Sequence, residues 1–272
     1  VTGTDRTSYL MDKDRTVTPD AESRYMDVIK RRASHVPYQY ITGEADFAGL
    51  KIHVTEDVLI PRLDTEVLFE EAEKVIPEGG KVLDMCTGSG CLACAIRRYR
   101  PDVQICASDI SEKALEVAAG NARALSEAEG FCDDGGIRFI RSDLFENFKD
   151  EDIFDVIISN PPYVTEAEYS DLMPEVKDHE PRLALTAGYD GLDIYRRLIP
   201  DAVRHLAAGG VCCTELTPPD RTDIKKGGWL CLEIGCSQAD VVTALMKQAG
   251  YKDISVVKDL AGLDRVVLGR IL

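Results

Sequence analysis

Lys81-Val82-Leu83-Asp84-Met85-Cys86-Thr87-Gly88-Ser89-Gly90 is the stretch on which the reading of this 272-residue chain turns. An apolar run of strand length ends in a glycine turn, and Cys91 to Tyr99 follows with the pattern of a helix. Glycine accepts positive φ and lets a ligand come close to the main chain. The next strand, Val103 to Ala107, ends in Ser108-Asp109, and that acid stands 21 residues after Gly88. Strand, glycine turn, helix, strand and acid, in that order, form a Rossmann-type nucleotide pattern in which the acid bonds ribose hydroxyls.

The full G-x-G-x-x-G spacing is absent, so no cradle for a dinucleotide pyrophosphate is expected. A nucleoside ligand without phosphate fits better, and S-adenosyl-L-methionine is the obvious one. A helix over 111–128 with Ser111 as N-cap comes next, then a polar loop over 129–136 and a short strand over 137–140. Ser142-Asp143-Leu144-Phe145 follows it. Asp143 is either a turn or cap residue, or an acceptor for an adenine amino group with Leu144 packed on the ring.

The fourth strand carries Phe154, Val156, Ile157 and Ile158 and stops at Ser159-Asn160-Pro161-Pro162-Tyr163. Proline has no N–H and a fixed φ, and it pushes the residue before it into an extended conformation. Asn160 is therefore held at the carboxyl end of a strand on a stiff backbone, with the Tyr163 ring beside it. A planar nitrogen group suits such a clamp. The stretch 164–190 reads as irregular. Its His179 has no companions at the spacing of a catalytic triad or a metal site. Helices over 192–207 and 239–249, and strands over 229–234, 254–257 and 265–268, complete the chain. Alternating strands and helices imply an α/β fold with a mainly parallel seven-stranded sheet and helices on both faces. The glycine turn, Asp109, Asp143 and Asn160 then share one rim, at the carboxyl ends of the strands, where such sheets bind ligands.

Two segments precede this unit. Residues 1–19 read as a polar leader starting at Val1, not Met, and Asp20 to Ala33 reads as one helix, too little to bury a core of its own. Within 36–60 a β-hairpin is expected, with its bend near Gly49. Ile60-Pro61-Arg62-Leu63-Asp64-Thr65-Glu66 then leads into a helix that Asp64 or Thr65 is expected to cap. Arg62 reads either as a surface ion pair with Asp64 and Glu66 or as part of a lid over a ligand. Late in the chain, Gly209 to Leu216 and Gly227 to Ile234 repeat one pattern 18 residues apart. The second copy is the more apolar, and the first runs into Pro218-Pro219. The second is therefore assigned to the sheet, and about 211–227 to an insertion.

Composition narrows the function. Thirty-two basic and 48 acidic residues give a formal charge of −16, which disfavours direct nucleic-acid binding. No apolar run reaches membrane-span length and no signal peptide is visible, so no membrane partner is expected. Nine scattered cysteines without an export signal read as reduced thiols in a cytoplasmic protein. Cys91 and Cys94 have C-x-x-C spacing with no second pair, and are read as core residues of a helix; no metal is expected.

With these residues placed, the chain resembles the protein-(glutamine-N5) methyltransferases of the HemK or PrmC type, over roughly residues 24–272. Asn160-Pro161-Pro162-Tyr163 is similar to the family's NPPY motif. Cys86-Thr87-Gly88-Ser89-Gly90 stands where the family has its GTGTG or GTGSG cofactor loop, with Cys86 in place of the first glycine. Ile60 to Glu66 resembles an IPRPDTE-like segment with Leu63 in place of proline. Glu180-Pro181 and Gly227 to Gly235 also match.

The resemblance implies a Rossmann-like class I methyltransferase that uses S-adenosyl-L-methionine and acts on peptide chain release factors, at the glutamine of their GGQ motif. It implies cofactor contacts at Cys86 to Gly90, Asp109, Asp143, Leu144 and Asn160, and catalytic and substrate contacts at Asn160 to Tyr163 with Arg62 added. It divides the chain into a remnant of a helical substrate-recognition domain (1–35), a hairpin linker (36–60) and a catalytic domain (61–272). NPPY is shared with enzymes that methylate adenine N6 in RNA or DNA. That activity, and a non-catalytic S-adenosylmethionine-binding module, are the alternatives.

Overall fold

The computed structural model describes residues 6–12, 16–130, 136–208, 210–211, 224–225 and 227–272. Its strands are β1 (Glu44–Phe47), β2 (Leu50–His53), β3 (Lys81–Met85), β4 (Gln104–Asp109), β5 (Ile137–Arg141), β6 (Val156–Ser159), β7 (Gly210–Val211), β8 (Ile224–Lys225), β9 (Trp229–Glu233), β10 (Lys252–Lys258) and β11 (Asp264–Arg270). Seven of them form one sheet in the order β10-β11-β9-β6-β3-β4-β5. The pairs β3–β4, β4–β5, β3–β6 and β6–β9 are parallel, and β11 runs antiparallel to both its neighbours. The chain steps outward from β3 to β4 and β5, then crosses back to β6 on the other side of β3. The direction reverses between β3 and β6, and in such sheets the crevice opens at the carboxyl ends of those strands.

The helices are α1 (Arg6–Met11), α2 (Pro19–Ala33), α3 (Tyr38–Thr42), α4 (Asp64–Val75), α5 (Cys91–Tyr99), α6 (Glu112–Glu129), α7 (Glu166–Asp171), α8 (Pro174–Lys177), α9 (Asp193–Ala202) and α10 (Ala239–Gln248). Side chains alternate across the sheet with period two, so each strand feeds both faces. Val82, Ile105, Val156, Ile158, Cys231 and Val266 pack with α4, α5, α6 and the β1–β2 hairpin. Leu83, Met85, Ile157, Leu230, Leu232 and Val267 pack with α9 and α10. The central strands are buried on both faces, which is why they read as unbroken apolar runs. Cys91 and Cys94 lie in the first of these cores.

The hairpin bends at Ala48-Gly49 and is fastened to the body by side chains. The Asn121 amide accepts from His53 N–H and donates to His53 C=O, and the Tyr99 hydroxyl donates to Ala48 C=O. Of the two repeated segments, Trp229–Glu233 is the one in the main sheet, between β6 and β11. Val211 pairs with Ile224, and Gly210 with Lys225, in a separate two-stranded ladder. Gly227, at the end of the expected insertion, is instead buried against the main chain of Ile271, and residues 212–223 and 226 lie outside the described residues.

Four local readings change. Residues 6–11, read as leader, form a helix. Neither Asp64 nor Thr65 caps α4: the helix begins at Asp64, the N-cap is Leu63, and no side chain caps it. Their side chains are drawn instead to Arg265 and Asn160. The stretch 164–190 is not structureless, because Thr165 and Glu168 form a capping box that starts α7. The helix over 192–207 ends at Ala202, and a 3-10 turn, Val203–His205, follows it.

Candidate active site

The glycine turn is held from below by a buried acid. Asp84 Oδ2 accepts from the Thr87 hydroxyl at 2.5 Å and from Ala93 N–H at 3.1 Å, which ties the turn to the first residues of α5. Burial pushes the Asp84 carboxyl up to about 7. Gly90 has φ +77°, and a Cβ there would stand 2.9 Å from Ala118 Cβ, so the turn and α6 meet only over a glycine. Cys86 also takes a left-handed conformation, φ +60°, at a position with a side chain.

The spacing between Gly88 and Asp109 becomes a bond: Gly88 N–H donates to Asp109 Oδ2 at 2.9 Å. Ser111 N–H donates to Oδ1, also at 2.9 Å. Burial raises the Asp109 carboxyl against the lowering effect of these donors. Asp143 caps no helix. Its carboxylate pairs with Arg197 at 2.9 Å, and the next residue, Leu144, is buried with φ +47°.

Ser159 fixes the end of β6 by donating its hydroxyl to Met85 C=O at 2.6 Å. The Asn160 amide Nδ2 donates to Thr65 Oγ1 at 3.1 Å, across 95 residues of sequence. Pro161 is buried, and the Tyr163 hydroxyl points to Glu233 Oε1 at 3.4 Å. Gln238 Nε2 donates to the carbonyls of Tyr163 and Gly191. A Cβ on Gly191 would sit 2.2 Å from the Tyr163 carbonyl oxygen, so this close approach requires glycine.

Arg62 pairs with neither Asp64 nor Glu66. Its guanidinium donates to Glu180 Oε1, while Ile60 N–H donates to Glu180 Oε2. The Glu180 side chain is 1% exposed, so one buried carboxylate latches segment 60–62 to segment 180–184. His179 stays away from this centre, with Nε2 at 3.1 Å from Ser34 C=O.

These parts enclose a cavity of about 260 Å³ at the carboxyl ends of the strands. Its wall includes Cys86 to Ser89, Asp109 to Ser111, Ser142 to Leu144, Asn160 and Pro162. Pro61, Arg62 and Thr65 close one side, and Pro181, Leu183, Ala184 and Thr186 border another. Every element expected on the rim contributes: glycine turn, Asp109, Asp143 with Leu144, and Asn160. Within the NPPY motif, Asn160 and Pro162 line the wall and Tyr163 is turned to Glu233.

Sequence reasoning missed Thr65, Glu180, Glu233 and Ile110. The first three act through partners far away in sequence. Ile110 was recoverable, since it directly follows the acid that ends β4. A buried carboxylate that already gathers backbone N–H groups, a turn with positive φ, and apolar Ile110 and Leu144 nearby suit a nucleoside with a charged tail.

Fold and cavity together are those of a Rossmann-like class I methyltransferase. Residues 47–176 match the family model of the methyltransferase small domain, and residues 1–43 that of the PrmC N-terminal domain. This chain belongs to the release factor glutamine methyltransferase family. The family member of Geobacter sulfurreducens is 38% identical over 269 residues, spanning 99% of this chain and 85% of that protein. That of Thermodesulfovibrio yellowstonii is 40% identical over 256 residues, spanning 93% and 82%. The solved E. cuniculi Mtq2–Trm112 complex, described as methylating the eRF1 termination factor, aligns with a TM-score of 0.51. It is 21% identical over 79% of this chain and 99% of that one, a likeness of fold.

Proposed function

We propose that this chain transfers the methyl group of S-adenosyl-L-methionine to the side-chain nitrogen of a glutamine in peptide chain release factors. The observation that carries the reading is the Asn160 amide, which lines the cavity with its nitrogen committed to Thr65. The oxygen is then the end left for an incoming N–H donor. A glutamine nitrogen is a weak nucleophile because its lone pair is delocalised into the carbonyl. Asn160 Oδ1 and the Pro161 carbonyl would accept its two N–H groups and aim the lone pair. Tyr163, anchored by its hydroxyl and its carbonyl, would bound the amide plane. Such positioning supplies several kcal/mol of barrier lowering, and aligned acceptors add electrostatic stabilisation.

The cofactor supplies a methyl already activated by a positive sulfur. Asp109 would accept from the ribose hydroxyls, Ile110 and Leu144 would flank the adenine with Asp143 at its amino group, and residues 86–90 would lie against the amino-acid tail. Residues 1–35 would belong to a substrate-recognising segment, 36–60 would link it, and 61–272 would form the catalytic domain. In support, Arg32 reaches Glu175 at 3.0 Å and His179 reaches Ser34, so the end of α2 rests on the segment that leads to the cavity wall.

The test is transfer of a labelled methyl group to purified release factor, to the same factor with its GGQ glutamine replaced by alanine, and to RNA and DNA oligonucleotides. Label on the glutamine-containing factor alone is expected. Label on adenine, or none on the factor, overturns the reading. The charge of −16 already weighs against nucleic acid.

A further inference from the structure

The ion pair between the two cavity walls is flanked by prolines on both sides. Ile60-Pro61-Arg62 runs along one wall, and Glu180-Pro181 leads into the other. Proline fixes its own φ and pushes the residue before it into an extended conformation. Glu180 N–H donates to Val176 C=O at 2.9 Å, and Pro181 starts the 3-10 turn Arg182–Ala184. The Glu180 carboxylate uses both oxygens, Oε1 on Arg62 Nη2 and Oε2 on Ile60 N–H. It therefore holds a guanidinium and the main chain two residues before it at the same time. Arg62 is placed differently. Its side chain is 35% exposed against 1% for Glu180, and it lines the cavity. Among the described residues only its Nη2 has a partner, so Nη1 and Nε remain as donors. Thr65 N–H donates to Arg62 C=O at 3.1 Å, and the Thr65 hydroxyl takes the Asn160 amide. The remaining donors thus belong to the acceptor end of the cavity.

Resting on the reading of the acceptor given above, we infer that Glu180 is a positioning residue that aims the Arg62 guanidinium at the main-chain carbonyls of the two glycines preceding the acceptor glutamine. A Gly-Gly-Gln segment has no side chain to hold before the glutamine, so its grip there must come through main-chain N–H and C=O groups. Glycine lets that main chain come close to a side chain of the enzyme. A guanidinium has donors and no acceptor, so within the segment it matches the carbonyls. Its planar fork is stiff, and with Nη2 anchored on a buried carboxylate the other N–H groups keep one direction. Such a pair adds little net stability once desolvation is counted; direction is what it contributes.

The experiment compares Arg62→Met, Arg62→Lys, Glu180→Gln and Asn160→Ala in the full chain. The substrates are release factor, S-adenosylmethionine, and factor assembled by ligation with sulfur, the weaker acceptor, in place of oxygen at the carbonyl of each glycine in turn. Arg62→Met should lower kcat/KM for the factor about tenfold or more, the scale of a hydrogen bond to a charged group. The loss should fall mainly on KM, because the flanking chain is held alike in ground and transition states. Arg62→Lys should recover only part of it, since a point charge lacks the fork. Affinity for S-adenosylmethionine should stay within about twofold, because Asp109 and the glycine turn are untouched. Glu180→Gln should lose less than Arg62→Met, and the double variant no more than Arg62→Met alone, as for residues acting in one chain. Sulfur at one of the two carbonyls should lower kcat/KM severalfold in the parent and not at all in Arg62→Met. Wild-type kcat/KM in Arg62→Met, losses that multiply in the double variant, or a sulfur effect that is absent in the parent or persists in Arg62→Met overturns the inference. So does an equal loss of S-adenosylmethionine affinity, which would give the guanidinium to the cofactor's carboxylate. Should Glu180→Gln fail to fold, Glu180→Asp, which keeps the charge but shortens the reach, is read in its place. Loss of turnover in Asn160→Ala beside an unaffected Arg62→Met removes the inference and leaves the Asn160 reading standing. Full turnover in Asn160→Ala removes both.

Discussion

The two ends of the cavity are built by different means. The end proposed for the cofactor is local: β3, the glycine turn, α5 and β4 are consecutive, and Asp84 and Asp109 bond main-chain groups within 9 and 21 residues. The end proposed for the acceptor is distant: Asn160 leans on Thr65 at a separation of 95 residues, and Tyr163 on Glu233 at 70. The first uses backbone conformation, which few residue types tolerate. The second uses side-chain hydrogen bonds that converge only in the finished fold. Disturbing the cofactor end should therefore change binding, whereas disturbing the acceptor end should change turnover.

Asn160→Ala is the strongest attempt to break this division. Turnover is expected to fall roughly a hundredfold or more, the scale for loss of an aligned hydrogen-bond group, with S-adenosylmethionine affinity within a few-fold. Steady-state kinetics beside calorimetry reads both quantities, and an equal loss in each would merge the two ends into one. Asp109→Ala is the counterpart. It should weaken S-adenosylmethionine binding by about 1.5–3 kcal/mol, the range for hydrogen bonds to charged groups. Unchanged affinity in calorimetry would move the ribose contact elsewhere.

A pH titration of stability probes the buried acid of each end. Asp84 is raised from 3.8 to about 7 and Glu233 from 4.5 to about 7, both chiefly by burial. Between those limits the folded state keeps protons that the unfolded chain has released, so stability falls as pH rises. Each group steepens the fall by at most about 1.4 kcal/mol per pH unit. Urea midpoints between pH 4.5 and 7 should decline less in Glu233→Gln than in the parent, and parallel curves would mean that Glu233 titrates normally.

The smallest effect belongs to Cys86→Gly. Glycine removes the left-handed strain at φ +60° but raises the entropy of the unfolded chain. The opposing effects should leave stability within about 1 kcal/mol, with S-adenosylmethionine affinity equal or higher. A drop of several kcal/mol in a denaturant titration would show that the thiol contributes packing that the turn needs.

The same contrast explains what could be read in advance. The central strands β3, β4, β6 and β9 announced themselves because a strand buried on both faces must be apolar almost throughout. Gly88 and Asp109 showed because turn and acid fall within one repeat of the fold, and Asn160 because two prolines mark the end of its strand. Thr65 was read as a helix cap, since threonine before a helix usually serves there, and nothing nearby in sequence mentions Asn160. For Arg62 the sequence left a pair with neighbouring acids and a lid over a ligand both open, because its partner Glu180 lies 118 residues away. The partner of a polar side chain is a property of topology, so it stays hidden until the strand order is known. Thr165-Glu166-Ala167-Glu168 is a different case, because a capping box is a local signal and its helix was open to reading.

The small ladder of β7 and β8 bears on how this protein can be altered. It sets Val211 opposite Ile224 and Gly210 opposite Lys225, so the chain leaves and re-enters at one doorway. The entropy of closing whatever lies between grows only with the logarithm of its length. β9 enters the main sheet just beyond that doorway and pairs there with β6 and β11. The doorway is thus a permissive graft point, where a fluorescent reporter or a second domain could be spliced in while the methyl-transfer machinery keeps its register.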